Sequence, residues 1–152
     1  MKQTGILMVA LAILVIGELA IYSVSRVEKT SGVPVPSVLI AEAYVRVDVA
    51  DTEASRARGL SGREGLEGNS GMLFVFPRDG YYGIWMKDML FSIDIVWISA
   101  DLEVIHMAQN VAPATYPESF APNRPARYVL ELPAGWARAY TVRIGDRVEL
   151  HL

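Results

Sequence analysis

The sequence predicts an all-β fold, a single sandwich or barrel-like domain with one or two short helices, preceded by an N-terminal transmembrane helix. Two observations predict it: short β-branched and aromatic segments alternate with turn signals along most of the chain, and one long apolar run lies near the start. The length of 152 residues allows one ordinary domain plus an extension. We therefore predict a membrane anchor or signal segment at residues 1–25, a linker at 26–41 and a β domain at 42–152.

The apolar run at residues 5–24 reads GILMVALAILVIGELAIYSV and carries one charge, Glu18. A helix of that length spans ~30 Å, the thickness of the hydrocarbon core of a bilayer. A cleaved signal peptide has a shorter apolar stretch and then a small-residue site, for which residues 23–25 are a candidate. We favour an uncleaved single-pass anchor in the cytoplasmic membrane, with Glu18 at the interface. The β domain is then expected outside, in the periplasm or at the cell exterior.

The linker at residues 26–41 contains Pro34 and Pro36, which favour an extended spacer. The domain begins with YVRVDV at residues 44–49, whose strict alternation predicts a half-buried strand. Thr52 can cap a short helix over the next six residues, and Gly59 can end that helix.

Further strands follow from continuous apolar runs bounded by turn residues. GMLFVF is apolar on both faces, which predicts a central buried strand, and its first residue, Gly71, before a large apolar residue predicts a close approach of two backbones. Other strands are predicted at residues 84–86, 93–99, 104–109 and 126–132, and a hairpin or tight corner joins residues 141–144 to 147–150. The proline-bearing loop at residues 110–123 is either a lid or partner-binding loop, or one packed over the barrel end by its own aromatics.

Composition excludes several classes of chemistry. The chain has no cysteine, so disulfides and thiolate metal sites are excluded. Beyond residue 41 we count 11 Lys and Arg against 15 Asp and Glu, a net charge of −4, which argues against a nucleic-acid binder. His106 and His151 are isolated, and no cofactor motif is present. We expect neither a metal nor a cofactor.

Two segments carry candidate site residues. In RGLSGREGL, Arg58 and Arg63 lie among three glycines and could hold an anion with exposed backbone amides; alternatively each arginine pairs with an acid from the sheet. In IWMKDMLFSIDIVWI, Trp85, Met86 and Lys87 are expected near the end of a sheet, where loops carry binding residues. The alternative for Trp85 is that it fills the core.

Asp94 stands in a strand that otherwise contains isoleucine, valine and tryptophan. A buried carboxylate needs a partner, and we expect a cation from the Arg58 to Lys87 region, with backbone amides as the alternative. Alternation predicts that Asp94 shares a face with Val96 and Ile98. Glu131 lies in a similar setting in VLELP, between two leucines.

These segments, followed by NVAPATYPESF, PARYVLELPAG and IGDRVEL, resemble the family known as domain of unknown function 192 over residues 44–150. The resemblance implies no reaction, because the family carries no established one. The sequence departs from the family pattern at Ser92, where proline is common, and at Asp88-Met89, where Asn-Thr often follows Trp-Met-Lys.

The leading hypothesis is a non-enzymatic, membrane-tethered module that binds a small polar ligand, a glycan or an envelope protein. The candidate surface comprises Arg58, Arg63, Trp85, Met86, Lys87, Asp94 and Glu131. One alternative is a hydrolase or lyase in which Asp94 and Glu131 act as an acid/base pair facing one cavity. The other is a structural partner in a membrane complex.

Overall fold

A computed structural model of the protein describes residues 35–152. The predicted anchor at residues 5–24 and the first part of the linker lie outside the described residues. Within residues 35–152, no helix combines the length and the apolar character needed to cross a membrane.

Short strands dominate the described chain, as the sequence predicts, together with two short α-helices. In chain order the elements are β1 Ser37–Ile40, β2 Ala43–Ala50, α1 Glu53–Arg58, β3 Ser70–Gly80, β4 Ile84–Trp85, β5 Ile93–Ile98, β6 Val104–Val111, a 3-10 turn at Pro113–Thr115, β7 Ser119–Phe120, β8 Ala126–Pro133, α2 Trp136–Ala139 and β9 Val148–His151. The all-β class, the capped helix after β2 and the buried third strand are confirmed.

Seven of these strands form one sheet in the order β6-β5-β8-β3-β2-β1-β9, while β4 and β7 pair separately. Neighbours in the large sheet are antiparallel except β2 and β3, which run parallel because α1 and the segment after it carry the chain back. A bridge between Glu103 and Arg147 joins the two ends of the sheet. The amide of Val148 also donates to the carbonyl of Leu102 at 2.9 Å. The sheet is therefore curled until its edges meet, as in a barrel.

One local prediction is wrong. The segment predicted as linker through Ala41 contains β1, whose residues pair with both β2 and β9. At residues 141–150 the sequence predicted a hairpin or a tight corner, and the structure has the corner: the chain turns at Asp146, and only β9 follows as a strand. The Asp146 carboxylate accepts a hydrogen bond from the Arg143 amide at 2.7 Å, which stabilises a tight corner.

Both faces of the curled sheet are buried, so the domain has two apolar clusters. The inner cluster receives side chains from all seven strands of the large sheet, including Val96 and Leu132. The outer cluster contains Phe74, Ile95 and Trp97, and is covered by Leu60 and other side chains of the connecting segments. The alternation predicted for β5 is confirmed, because Val96 and Ile98 belong to the inner cluster whereas Ile93, Ile95 and Trp97 belong to the outer one.

Candidate functional site

Glu131 lies on the outer face of the sheet. It stands on β8 between two neighbours, opposite Met72 of β3 and Ile95 of β5, whose side chains belong to the outer cluster. The residue is only 4% exposed. Its Oε2 atom is buried and has no hydrogen-bond partner in the described part of the chain. Because native folds rarely leave a buried polar atom unsatisfied, this carboxyl requires an explanation.

Burial raises the pKa of the Glu131 carboxyl from 4.5 to about 8, while the positive charge of Arg63 opposes the rise in part. An apolar environment disfavours the charged form of the acid. At neutral pH the side chain is therefore mostly the neutral acid. A neutral carboxyl can both donate and accept a hydrogen bond, whereas the ionised form can only accept.

Glu131 is one of the residues that line a pocket of about 80 Å³. From the end of α1 and the turn after it come Arg58, Gly59 and Ser61. Trp85 of β4 completes the lining opposite, together with apolar side chains of the outer cluster. The pocket thus combines one neutral acid, the guanidinium groups of Arg56 and Arg58, a hydroxyl group and a large aromatic ring.

Two hydrogen bonds between connecting segments assemble the pocket. The hydroxyl of Ser61 donates to the carbonyl of Lys87 at 2.8 Å, and the amide of Gly62 donates to the carbonyl of Asp88 at 2.8 Å. They tie the RGLSGREGL segment to the IWMKDM segment. Gly59 ends α1 at φ 52°, a conformation that side chains disfavour, and so directs the chain across the outer face.

Trp85 is exposed and does not fill the core. The residue is 54% exposed, and its ring meets that of Tyr116 edge-to-face, with ring centroids 5.9 Å apart. Tyr116 lies between the 3-10 turn and β7, within the segment predicted as a loop at residues 110–123, and this segment therefore reaches the neighbourhood of the pocket. Met86, in contrast, is 1% exposed and packs in the outer cluster, so its assignment to the surface is wrong. Within β4, Ile84 is buried and Trp85 is exposed, as alternation along a strand requires, and Met86 directly after β4 is buried again.

The arginine and lysine side chains of the predicted site differ in their partners. Arg63 pairs with Asp48 of β2 at 2.7 Å, which is the structural pairing that the sequence offered as the alternative. Arg56, which also lines the pocket, donates to the carbonyl of Val75 at 2.8 Å. Arg58 is exposed and takes part in no ion pair within residues 35–152. Lys87 is exposed, and its carbonyl, not its ammonium group, serves the pocket by accepting from Ser61.

The surroundings of Asp94 contradict two predictions: that its partner is a cation, and that it forms an acid/base pair with Glu131. Its carboxylate accepts hydrogen bonds from the backbone amides of Asn110 at 2.8 Å and Ala137 at 2.9 Å, so its partners are amides and not a cation. Asp94 pairs across the strands with Leu132 of the inner cluster, whereas Glu131 faces outward. The two carboxyls lie on opposite faces of the sheet and cannot form an acid/base pair in one cavity.

Sequence reasoning missed the parts of the site that come from backbone geometry. Asp88 has φ 55°, in the left-handed region that asparagine and aspartate tolerate best. That explains why an aspartate can stand where the family pattern often has asparagine. Gly83, which lines the pocket, packs so closely on β7 that an added Cβ would clash with the Ser119 hydroxyl. A glycine just before IWM was the available signal.

Fold and pocket together define a small curled-sheet β domain with a buried acid beneath its outer face. Comparison with known proteins identifies the family: the profile of DUF192, described as an uncharacterized ACR, matches residues 37–150, and the chain belongs to it. The match confirms the resemblance seen in the sequence.

The relatives carry family names and no activity. A UPF0127 protein of Pyrococcus furiosus is 28% identical over 113 residues, which cover 71% of this chain and 89% of that protein. A UPF0127 protein of Thermococcus gammatolerans is 32% identical over 104 residues, covering 67% of this chain and 64% of the relative. The match thus spans less than two thirds of the length of the Thermococcus protein.

Two crystal structures have a similar fold. One, from Novosphingobium aromaticivorans, is of a protein of unknown function; it superposes with a TM-score of 0.72 at 27% identity, over 82% of this chain and 91% of that chain. The other is of a protein from Sinorhizobium meliloti described as a proposed transcription regulator. It has a TM-score of 0.70 at 28% identity, over 76% of this chain and 91% of that chain.

Proposed function

We propose that the β domain is a binding module for a small polar ligand and that its site is the pocket beside Glu131. The observation that carries the proposal is the buried Oε2 atom of Glu131, which has no partner among residues 35–152. A polar atom in this state costs on the order of 1–3 kcal/mol. A ligand group that hydrogen-bonds to it would recover that cost, so the unsatisfied acid is an element of recognition.

The lining of the pocket favours binding over hydrolysis. Among the described residues that line it, Glu131 is the only acid and no histidine is present. A hydrolytic acid/base mechanism of the predicted kind needs two titrating groups in one cavity. Trp85 instead offers an exposed face on which the apolar side of a ligand can stack.

A glycan or an envelope protein is the second candidate for the ligand. The exposed pair of Trp85 and Tyr116 favours it, because this pair lies beside the pocket and extends the contact surface beyond about 80 Å³. In either case we propose that residues 5–24 hold the domain on the outer side of the cytoplasmic membrane. The apolar length of that segment supports the tether.

A binding screen with matched variants tests the proposed site. The full-length chain, kept in solution with a mild detergent, is screened by NMR against small hydroxylated, amide and carboxylate compounds. Compounds that bind the native protein should lose affinity at least tenfold in Trp85→Ala and in Glu131→Leu. Leu90→Ala is the control, because Leu90 is 63% exposed and does not line the pocket.

Two results would contradict the proposal. The first is that no compound of any class perturbs the pocket. The second is that binding survives both pocket substitutions. Loss of the cooperative melting transition in Trp85→Ala would show instead that the ring supports the fold, and Glu131→Leu would then decide about binding.

A further inference from the structure

We propose that the ligand of this pocket carries a carboxylate group, which is held between the Glu131 carboxyl and the Arg58 guanidinium. The inference rests on the proposed binding function and names the chemical class of its ligand. Three properties of the pocket point to it: its charge, its hydrogen-bonding groups and its size.

The charges around the pocket favour an anion. Arg56 and Arg58 of α1 line it, and Arg63 acts on Glu131 from the segment after α1. Arg63 is neutralised by Asp48, and Arg56 is held by the carbonyl of Val75. The side chains that β3 and β4 contribute include Phe74 and Ile84, while Ile95 of β5 faces Glu131, and these carry no charge. Arg58 therefore remains uncompensated, so a cationic ligand would be repelled and an anionic one attracted.

The hydrogen-bonding groups match a carboxylate. A protonated Glu131 can donate its O–H to a carboxylate oxygen, and the guanidinium of Arg58 can donate to the same group. Hydrogen bonds to an ionised acceptor are roughly twice as strong as neutral ones, and arginine has the planar fork that fits a carboxylate. An ammonium group could donate to Glu131, but it would then lie beside the unpaired positive charge of Arg58, which repels it. A neutral hydroxyl group could satisfy Glu131 but would leave Arg58 without a charged partner.

The size of the pocket fits the head of such a ligand. A volume of about 80 Å³ holds a few water molecules. A carboxylate group, with three non-hydrogen atoms, would displace them. The remainder of the ligand would then extend past the rim and lie against the exposed ring of Trp85.

Small probes of similar size and different charge test the charge of the ligand. Glycolate, glycolamide and ethanolamine are titrated into the full-length chain while the indole N–H signal of Trp85 is followed by NMR. At pH 6.5 glycolate should bind at least tenfold more tightly than the other two. Its affinity should fall about tenfold at pH 9, because Glu131 loses the proton it donates while the ligand stays ionised.

Variants separate the two contacts. Glu131→Gln retains a donor that cannot ionise, so glycolate binding should persist and become independent of pH between 6.5 and 9. Arg58→Gln should weaken glycolate binding at least tenfold. Arg138→Gln is the matched control, because Arg138 is also exposed on a helix but does not line the pocket.

Results that contradict a carboxylate ligand can be distinguished from results that contradict any binding at this pocket. Glycolamide or ethanolamine binding as tightly as glycolate would overturn the carboxylate ligand while leaving a binding pocket, as would glycolate binding that is unchanged in Arg58→Gln. If none of the three probes perturbs the Trp85 signal, the ligand class is overturned and the broader compound screen decides whether the pocket binds anything.

Discussion

Two buried acids on adjacent strands differ in their hydrogen bonding. Asp94 is fully buried, and both of its oxygens accept backbone amides. Glu131, whose cross-strand partner Ile95 is the next residue after Asp94, keeps an oxygen without a partner in the described chain. The first acid therefore holds the fold together, because its amides come from the end of β6 and the start of α2. The second is the acid that we propose binds a ligand.

Replacement of Asp94 should be costly. Asp94→Ala leaves the amides of Asn110 and Ala137 without an acceptor, and each loss costs about 1–3 kcal/mol. We expect the free energy of unfolding to fall by about 2–5 kcal/mol, measured by urea denaturation. The free energy of unfolding of Asp94→Asn should lie between those of Asp94→Ala and the native protein, because one side-chain oxygen remains as an acceptor. A loss in Asp94→Ala well below about 1 kcal/mol would mean that these hydrogen bonds contribute nothing net.

The raised pKa of Glu131 makes stability depend on pH. Between pH 4.5 and about 8 the unfolded chain loses the proton while the folded chain keeps it. The free energy of unfolding therefore falls as pH rises through this window and is flat above it, with a total change on the order of 5 kcal/mol. Glu131→Gln should remove this slope and be the more stable protein at pH 9. Urea denaturation from pH 5 to pH 9 measures both; parallel profiles for the two proteins would refute the shift.

At the scale of elements, the contact between β3 and β8 positions Glu131. Gly71 lets the two strands approach, since an added Cβ would lie 2.6 Å from the carbonyl oxygen of Glu131. The same glycine was identified from the sequence as a point of close backbone approach. The packing of β3 against β8 and the position of Glu131 therefore depend on the absence of a Cβ at Gly71.

Substitution of this glycine should disturb the strand pair. Gly71→Ala forces backbone atoms apart, and we expect a loss of about 1–3 kcal/mol in the free energy of unfolding. Gly68→Ala is the matched control, because nothing lies within 4 Å of its added Cβ; it should stay within about 0.5 kcal/mol of the native protein. Equal effects of the two substitutions in chemical denaturation would contradict the role of Gly71.

At the scale of the whole molecule, closure of the sheet leaves the outer face of the barrel as the face that carries the pocket beside Glu131. The inner face is filled by the apolar cluster that all seven strands share. The segment after α1 and the segment around β4 cross the outer face, and they enclose the pocket there. These two segments can therefore carry the proposed binding chemistry while the large sheet serves as their scaffold.

The proposed tether predicts the behaviour of the full chain in cells. We expect the protein to sediment with membranes, to resist extraction by high salt, and to be degraded by protease added from the outer side. A chain that lacks residues 1–34 should stay in the soluble fraction and serves as the control. A mature N-terminus near Arg26, or release by salt alone, would show that residues 5–24 are not a permanent anchor.

The sequence by itself determined the class of fold and most of its strands, because alternation and apolar runs are local signals. The pattern of YVRVDV identified β2, and the alternation of β5 assigned Asp94 and Ile95 to opposite faces. Family membership also followed from the order of the motifs. Local patterns failed at β1, whose pairing with β2 and β9 depends on the closed sheet and not on its own residues.

Only the tertiary structure decided what the candidate residues do. The amides that satisfy Asp94 lie 16 and 43 residues away along the chain, and no local pattern reports such distances. The face on which Glu131 lies relative to Asp94 depends on the register between β5 and β8, and a shift of one residue would reverse it. The pocket exists because the segment after α1 bonds to the carbonyls of Lys87 and Asp88, a contact between distant parts of the chain that only the folded barrel brings together.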